Sequence, residues 1–421
     1  MNLNKRDQKH LWHPLTQHKM TPEHLGIVRT EGVFLYDEEG NKYIDAISSW
    51  YTSVYGHCHP HIVKNVVDQA STMDQVVFAG FTHPAAVEMS EKLMKILPDN
   101  QQKIFFSDNG STTVDIAIKM SLQYHFNQNR KKLRIIAFEN AFHGDTFGAM
   151  SVSGLEVYNG PFEDVVFGVD RIPVPNDENI LEVLKVFEEM MVSGEVACFV
   201  FEPLIQGANC MQMHKAVHLD KMIALAQQND VICVADEVMT GFGKTGTYFA
   251  SDRLENKPDI LCLSKALTGG MVAMGLTTCT EKIYSAFYAD HISKGFFHGH
   301  TYSANPIACA AVKASVDLLQ SDEIQQGIQR IQKGHQQFSK SLQDHPKVKE
   351  IRTLGVVLAV DLDLDIDRYG KDRNAIFEYF MARGIFLRPL GNTLYIVPPY
   401  VIKSEELSFI YSEMMLYIQD L

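Results

Sequence analysis

Asp259-Ile260-Leu261-Cys262-Leu263-Ser264-Lys265-Ala266-Leu267-Thr268-Gly269-Gly270 is an apolar run that stops at a lysine and continues in small residues. The run reads as a buried strand. A lysine at its end is costly unless its charge is used or removed. Upstream, Val231-Ile232-Cys233-Val234-Ala235 is a second apolar run, and it ends at Asp236-Glu237. Ile104-Phe105-Phe106, Arg134–Phe138 and Val196–Phe201 read as further strands, the last ending at Glu202-Pro203. Between them lie helical patterns, with apolar residues at Val114, Ala117, Ile118, Met120 and Leu122, and again at Leu219, Met222, Ile223 and Ala226. This alternation indicates an α/β domain with a largely parallel sheet. Its ligand sites belong at the carboxyl ends of the strands, where Asp236 and Lys265 both fall.

The most economical use of such a lysine is an imine with a carbonyl cofactor. A carboxylate at one strand end and a lysine at the next fit the two poles of pyridoxal phosphate (PLP). Lys265 would bind the aldehyde, and Asp236 would hold a proton on the ring nitrogen. Asn109-Gly110-Ser111-Thr112 opens a helix directly after a strand. Gly permits close backbone approach, Ser or Thr can cap, and the free N–H groups suit a phosphate. Alone, the segment is a plain N-cap; beside Asp236 and Lys265 the phosphate reading is favoured. Asn140–Gly148 follows a strand and carries aromatics, a His and an Asp, and an aromatic there could cover one face of a cofactor ring, the bland alternative being a loop with a core phenylalanine. Arg388-Pro389-Leu390-Gly391 follows an apolar run, which suits bidentate carboxylate recognition, although a single arginine is more often a surface residue.

Net charge is −13, from 38 basic and 51 acidic residues, which disfavours nucleic acid or an anionic membrane as the main partner. The first ten residues lack the apolar core of a secretory signal, and no apolar stretch is long enough to span a bilayer. Seven scattered cysteines without a Cys-x-x-Cys pair indicate a reduced, cytoplasmic protein. His57-Cys58-His59-Pro60-His61 is read as a loop leading into a helix, not as a metal site, because no partner pair stands at zinc spacing. Gly241-Phe242-Gly243-Lys244-Thr245-Gly246 mimics the end of a nucleotide-binding P-loop. The further Gly that such a loop requires is Val238 here, so an ATPase is disfavoured.

From about Pro306 the pattern changes to a long helix through Val312, Val316 and Leu319, followed by charged helices and short strands such as Val356–Val360 and Leu394–Val397. Val33–Ile44 reads as a hairpin turning at Glu39-Gly40-Asn41. The expected organisation is a large domain over residues 61–314 and a small α+β domain from residues 1–60 and 315–421.

Ala235-Asp236-Glu237-Val238, Thr240–Gly246, Pro258-Asp259-Ile260 and Ser264–Gly270 together resemble the class III PLP-dependent aminotransferases, over nearly the whole chain. The resemblance implies the type I PLP-dependent transferase fold and an obligate homodimer with shared active sites. Leu11-Trp12-His13-Pro14, Ser48-Ser49-Trp50-Tyr51, His143–Ser151, His298–Tyr302 and Arg388–Gly391 resemble one branch in particular. That branch moves an amino group from S-adenosylmethionine to 8-amino-7-oxononanoate in biotin biosynthesis. By resemblance, Gly110 and Ser111 bind the PLP phosphate, Asp236 pairs with the ring nitrogen and Lys265 carries the cofactor. His300 and Thr301 reach the phosphate in the partner subunit. Leu15, Trp50, Phe142, Gly299 and Arg388 line the substrate pocket, with Arg388 on the acceptor's carboxylate. Leu15 and Phe142 each replace a tyrosine common in that branch. Lysine as donor, another class III aminotransferase acting on ornithine, an ω-amino acid or a diamine, and an aminomutase remain as alternatives.

Overall fold

The computed structural model describes residues 3–21, 23–155 and 160–421. Seven strands form the central sheet, in the order Gln101–Ser107, Gly275–Thr280, Ile260–Leu263, Ile232–Asp236, Val196–Phe201, Arg134–Phe138 and Asp170–Ile172. Gly275–Thr280 runs antiparallel to both neighbours, and every other adjacent pair is parallel. The mostly parallel sheet expected from the sequence is therefore present. The antiparallel strand was not legible as an apolar run, because it contains three threonines. Two of them satisfy their hydroxyls internally: Thr277 donates to the Thr113 carbonyl (2.9 Å) and Thr278 to Gln101 Oε1 (2.7 Å).

The central strands are buried at every position because helices cover both faces. Side chains alternate between the two cores, as a period of two requires. Cys198, Val200, Ile232, Val234, Ile260 and Cys262 face the helix Gly110–Asn127, with Val114, Ile116 and Ala117. Phe199, Phe201, Cys233, Ala235, Leu261 and Leu263 face the opposite core. There Phe199 meets Phe138, Phe187 and Phe201 at ring separations of 5.2, 4.9 and 4.8 Å. Each such ring contributes about 1.5–3 kcal/mol on burial.

Near the N-terminus, Phe34–Asp37 and Lys42–Asp45 form the expected hairpin. The Asp37 carboxylate closes its turn by accepting from the Glu39 and Asn41 N–H groups, the Asn41 amide and the Tyr43 hydroxyl. Lys42–Asp45 also pairs in parallel with Ile385–Phe386, so strands from both ends of the chain share one sheet. A separate antiparallel sheet is built from Val348–Leu354, Val357–Leu362 and Thr393–Ile396. The long helix expected after residue 306 runs from Pro306 to Leu319, capped by the Asn305 side chain.

Residues 241–246 form no phosphate cradle. Lys244 is fully buried, and its amine donates to the Gly241 carbonyl at 2.9 Å.

Candidate active site

A cavity of about 370 Å³ lies at the carboxyl ends of Ile232–Asp236 and Ile260–Leu263. It is lined by Leu15, Trp50, Gly110, Ser111, Phe142, Asp236, Lys265 and Arg388, all of them singled out in the sequence. Gly299, His300 and Thr301 lie outside it, on the segment that follows Phe296. The Thr301 carbonyl accepts from Gln75, and His300 Nδ1 accepts from the Tyr302 N–H. His300 Nε2 is buried without a partner among the described residues.

The strand at Leu263 gives way through Ser264 to a short 3₁₀ turn, Lys265–Thr268. Lys265 itself has φ +52°, a left-handed backbone that a non-glycine residue holds only when its surroundings enforce it. Its amine lies 5.1 Å from the centre of the Tyr51 ring. Burial lowers its basicity, and Asp236 and Glu202 act in the opposite direction.

Asp236 ends its strand buried. One carboxylate oxygen accepts from His143 Nδ1 at 2.7 Å, and the other accepts from the Val238 N–H at 3.0 Å. His143 is oriented in turn by its own N–H, which donates to Ser153 Oγ at 2.8 Å. Glu202, at the end of the neighbouring strand, accepts from the Phe142 and Gly207 N–H groups at 2.9 and 2.8 Å. The helix Gly110–Asn127 points its N-terminus into the cavity, with the Asn109 side chain accepting from the Thr112 N–H. Ser111 Oγ accepts from the Asp145 N–H at 3.0 Å. Gly144 (φ +132°) is required beside it, since a Cβ there would lie 2.1 Å from Ser111 Oγ.

Trp50 and Tyr51 reach the cavity through an unusual turn. Ser48, Ser49, Trp50 and Tyr51 have φ of 49°, 46°, 61° and 70°. Four consecutive left-handed L-residues cost roughly 1–2 kcal/mol each. The Asp45 carboxylate offsets part of this by accepting from the Ile47 N–H, Ser49 Oγ and His57 Nε2. Ser48 Oγ donates to the Val397 carbonyl at 2.7 Å. The turn sets two adjacent aromatics against different cations: Trp50 lies 5.3 Å from the Arg388 guanidinium, and Tyr51 faces Lys265. The histidines of the 57–61 segment have separate tasks. His57 pairs with Asp45, His59 caps the helix Pro60–Ala70, and His61 lies 3.4 Å from Asp317.

Residues 15–418 match the family model described as Aminotransferase class-III. The chain is a class III aminotransferase. A relative from Synechococcus elongatus, named adenosylmethionine-8-amino-7-oxononanoate aminotransferase, is 42% identical over 413 residues, 96% of this chain and 97% of its own. One of the same name from Geobacter sulfurreducens is 36% identical, covering 96% of this chain and 94% of its own. A crystal structure carrying that name, from Methanocaldococcus jannaschii, superposes with a TM-score of 0.91 at 31% identity, covering 99% of this chain and 98% of the other. A PLP-bound amine transaminase from an uncultivated Pseudomonas species shares the fold, with a TM-score of 0.91 at 24% identity over 97% of this chain and 98% of its own.

The aminotransferase is PLP-dependent, and its cavity fits that cofactor. The helix N-terminus with Ser111 suits the phosphate, Asp236 suits a protonated ring nitrogen, and Lys265 suits the aldehyde. Sequence reasoning missed His143 as the partner of Asp236, since the two stand 93 positions apart. It noted Glu202 only as a strand end. The left-handed turn has no sequence signal, because none of its residues is glycine.

Two outcomes follow. His57→Ala removes one support of the left-handed turn. In a Trp12→Phe background it should shift Trp50 emission and lower kcat/KM about tenfold, on the scale of one hydrogen bond to a charged group; unchanged emission would show that the turn stands without His57. The second concerns pH. Burial pushes the Glu202 carboxyl up to about 7 from its ordinary 4.5, despite nearby His143. The native state therefore keeps a proton that the unfolded chain releases, so stability falls as pH rises through that window. Glu202→Gln should flatten the decline in Tm between pH 5 and 8, and thermal melts of both proteins at these pH values check it.

Proposed function

We propose that this aminotransferase moves an amino group from S-adenosylmethionine to 8-amino-7-oxononanoate, giving 7,8-diaminononanoate for biotin synthesis. The names of its relatives support this reading. The observation that carries it is the aromatic floor of Trp50 and Tyr51, which extends from Arg388 to Lys265. A keto acid with a long aliphatic body and a terminal carboxylate matches that layout. A sulfonium donor gains from the same aromatic faces, roughly 0.5–2 kcal/mol per contact.

When bound, PLP supplies an electron sink and a carrier for the amino group. Gly110 and Ser111 would hold its phosphate, and Phe142 would pack against its ring. Asp236 would hold the proton at the ring nitrogen, and His143 keeps that carboxylate in place by donating to Oδ2. Lys265 removes the proton from the donor Cα and later returns one to the product. Its lowered basicity leaves more of the amine neutral and able to accept. Arg388 binds the carboxylate, and Leu15 packs against the aliphatic chain.

The reading includes a cytoplasmic homodimer in which Gly299, His300 and Thr301 complete the partner's site. Large exposed apolar side chains support such a surface, among them Trp12 (90% exposed), Ile292, Phe297 and Tyr302. No helix among the described residues is long and apolar enough to cross a membrane. It also includes a small domain from residues 1–60 and 315–421 around a large domain of 61–314.

A lysine donor is the second reading, favoured by Leu15 and Phe142, which lack the hydroxyls of the tyrosines they replace. Competition between S-adenosylmethionine and lysine at equal concentration, following diamine formation, should favour S-adenosylmethionine; faster turnover from lysine overturns the donor assignment. Lys265→Ala and Thr301→Ala subunits should each be nearly inactive, and their mixture should recover activity from the one site with both groups intact. A verified heterodimer without recovery would make the sites self-contained.

A further inference from the structure

Besides Arg388, two further arginines line the cavity, Arg368, which donates to the Ala208 carbonyl, and Arg373, which the reading of Arg388 leaves without a task. Arg373 sits in the first turn of the helix Lys371–Met381 and lines the cavity with Arg388, Tyr369 and Tyr395. Its side chain is anchored: Nε donates to the Pro389 carbonyl at 3.2 Å, and Nη1 to Asn374 Oδ1 at 3.1 Å. Nη2 has no acceptor among the described residues. Arg373 is only 8% exposed, yet no carboxylate among the described residues is within ion-pair distance of it or of Arg388. A buried guanidinium without a counterion is unfavourable, and a like-charged neighbour makes it more so. Burial first, then Arg388, brings Arg373 down to about 10. The buried Tyr395 hydroxyl lies close enough to feel both guanidinium groups, and it is engaged by the Tyr51 hydroxyl at 3.1 Å.

Arg373 and Arg388 face one cavity with no carboxylate of the described residues within ion-pair distance, and an entering anion compensates them. We propose that Arg373 is the second arm of the carboxylate subsite, acting with Arg388 to select substrates that end in a carboxylate. The proposal rests on the assignment of Arg388 to the carboxylate and extends it. Arg388, set over Trp50, supplies one guanidinium. Arg373, fixed through Pro389 to the same loop that carries Arg388, supplies the other with its free Nη2.

The test uses the PLP-loaded enzyme with nonanoate and its neutral isostere nonanamide as competitive inhibitors. Wild type should bind nonanoate in clear preference to nonanamide. Arg373→Gln keeps a donor for the Pro389 carbonyl but removes the charge. It should narrow that preference about tenfold or more, the scale of one charge-assisted bond, while leaving nonanamide binding nearly unchanged. Arg373→Lys should restore part of the preference. Equal weakening of both inhibitors by Arg373→Gln would make Arg373 a structural support of the loop and overturn the proposal, as would no change in either. If Arg373→Gln misfolds by thermal melt, Arg373→Lys and Arg373→Met carry the comparison. Arg388→Gln separates the two assignments. A preference that survives Arg388→Gln but not Arg373→Gln overturns the joint subsite through Arg388 alone. A preference lost in both variants, in an enzyme that does not turn over the oxononanoate, supports the subsite while removing the acceptor.

Discussion

The structure depends on keeping one amine, that of Lys265, sheltered at the floor of a cavity and still usable. Burial alone would strip its proton and leave a weakly placed neutral group. Asp236, at the end of the adjacent strand, and Glu202, at the end of the one beyond it, oppose that tendency. A parallel sheet is suited to this because successive strands deliver their last residues to one edge, a few ångströms apart. The edge in turn requires helices on both faces, which explains why the central strands are buried at every position.

Around that edge, the Asp236 carboxylate and the loop beside it are held by further groups. His143 fixes Asp236, Ser153 fixes the His143 backbone, and Glu202 ties the Phe142 loop to Gly207. Backbone strain gathers in the same place. Lys265 and the Ser48–Tyr51 turn all have positive φ, and Gly144 lies against Ser111 where no Cβ fits. The cost of this strain, on the order of several kcal/mol for the turn, is offset in part by Asp45, which satisfies three donors from a buried position. Tyr51 stands near Lys265 and Trp50 near Arg388 because this turn places neighbouring residues on diverging paths.

The charge distribution has the same logic on a larger scale. The chain carries a net −13, yet its cavity ends in arginines. A diffuse negative field is screened over about 8–10 Å at physiological salt. Groups inside the cavity are screened less, so Arg373 and Arg388 dominate what an entering anion meets. Net charge thus bears on partners at the surface, whereas the cavity sets the substrate's charge.

Much of this was legible from residues alone. The alternation of apolar runs with helical patterns is local in sequence, and it determined the parallel sheet, the strand-end positions of Asp236 and Lys265, and the helix N-terminus at Gly110. Two strands were too polar or too short for that signal, Gly275–Thr280 and Asp170–Ile172. Arg388 was read from its own segment, resemblance to the aminotransferases added Leu15, Trp50 and Phe142, and the fold brings all four to one cavity. Only the tertiary structure decided the pairings of His143 with Asp236, His57 with Asp45 and Arg373 with Arg388. Their members come from distant parts of the chain, or from a helix and a loop whose approach no periodicity encodes. The left-handed turn was likewise decided there, since its strain is repaid by contacts with Asp45 and Val397 that exist only once the chain has folded.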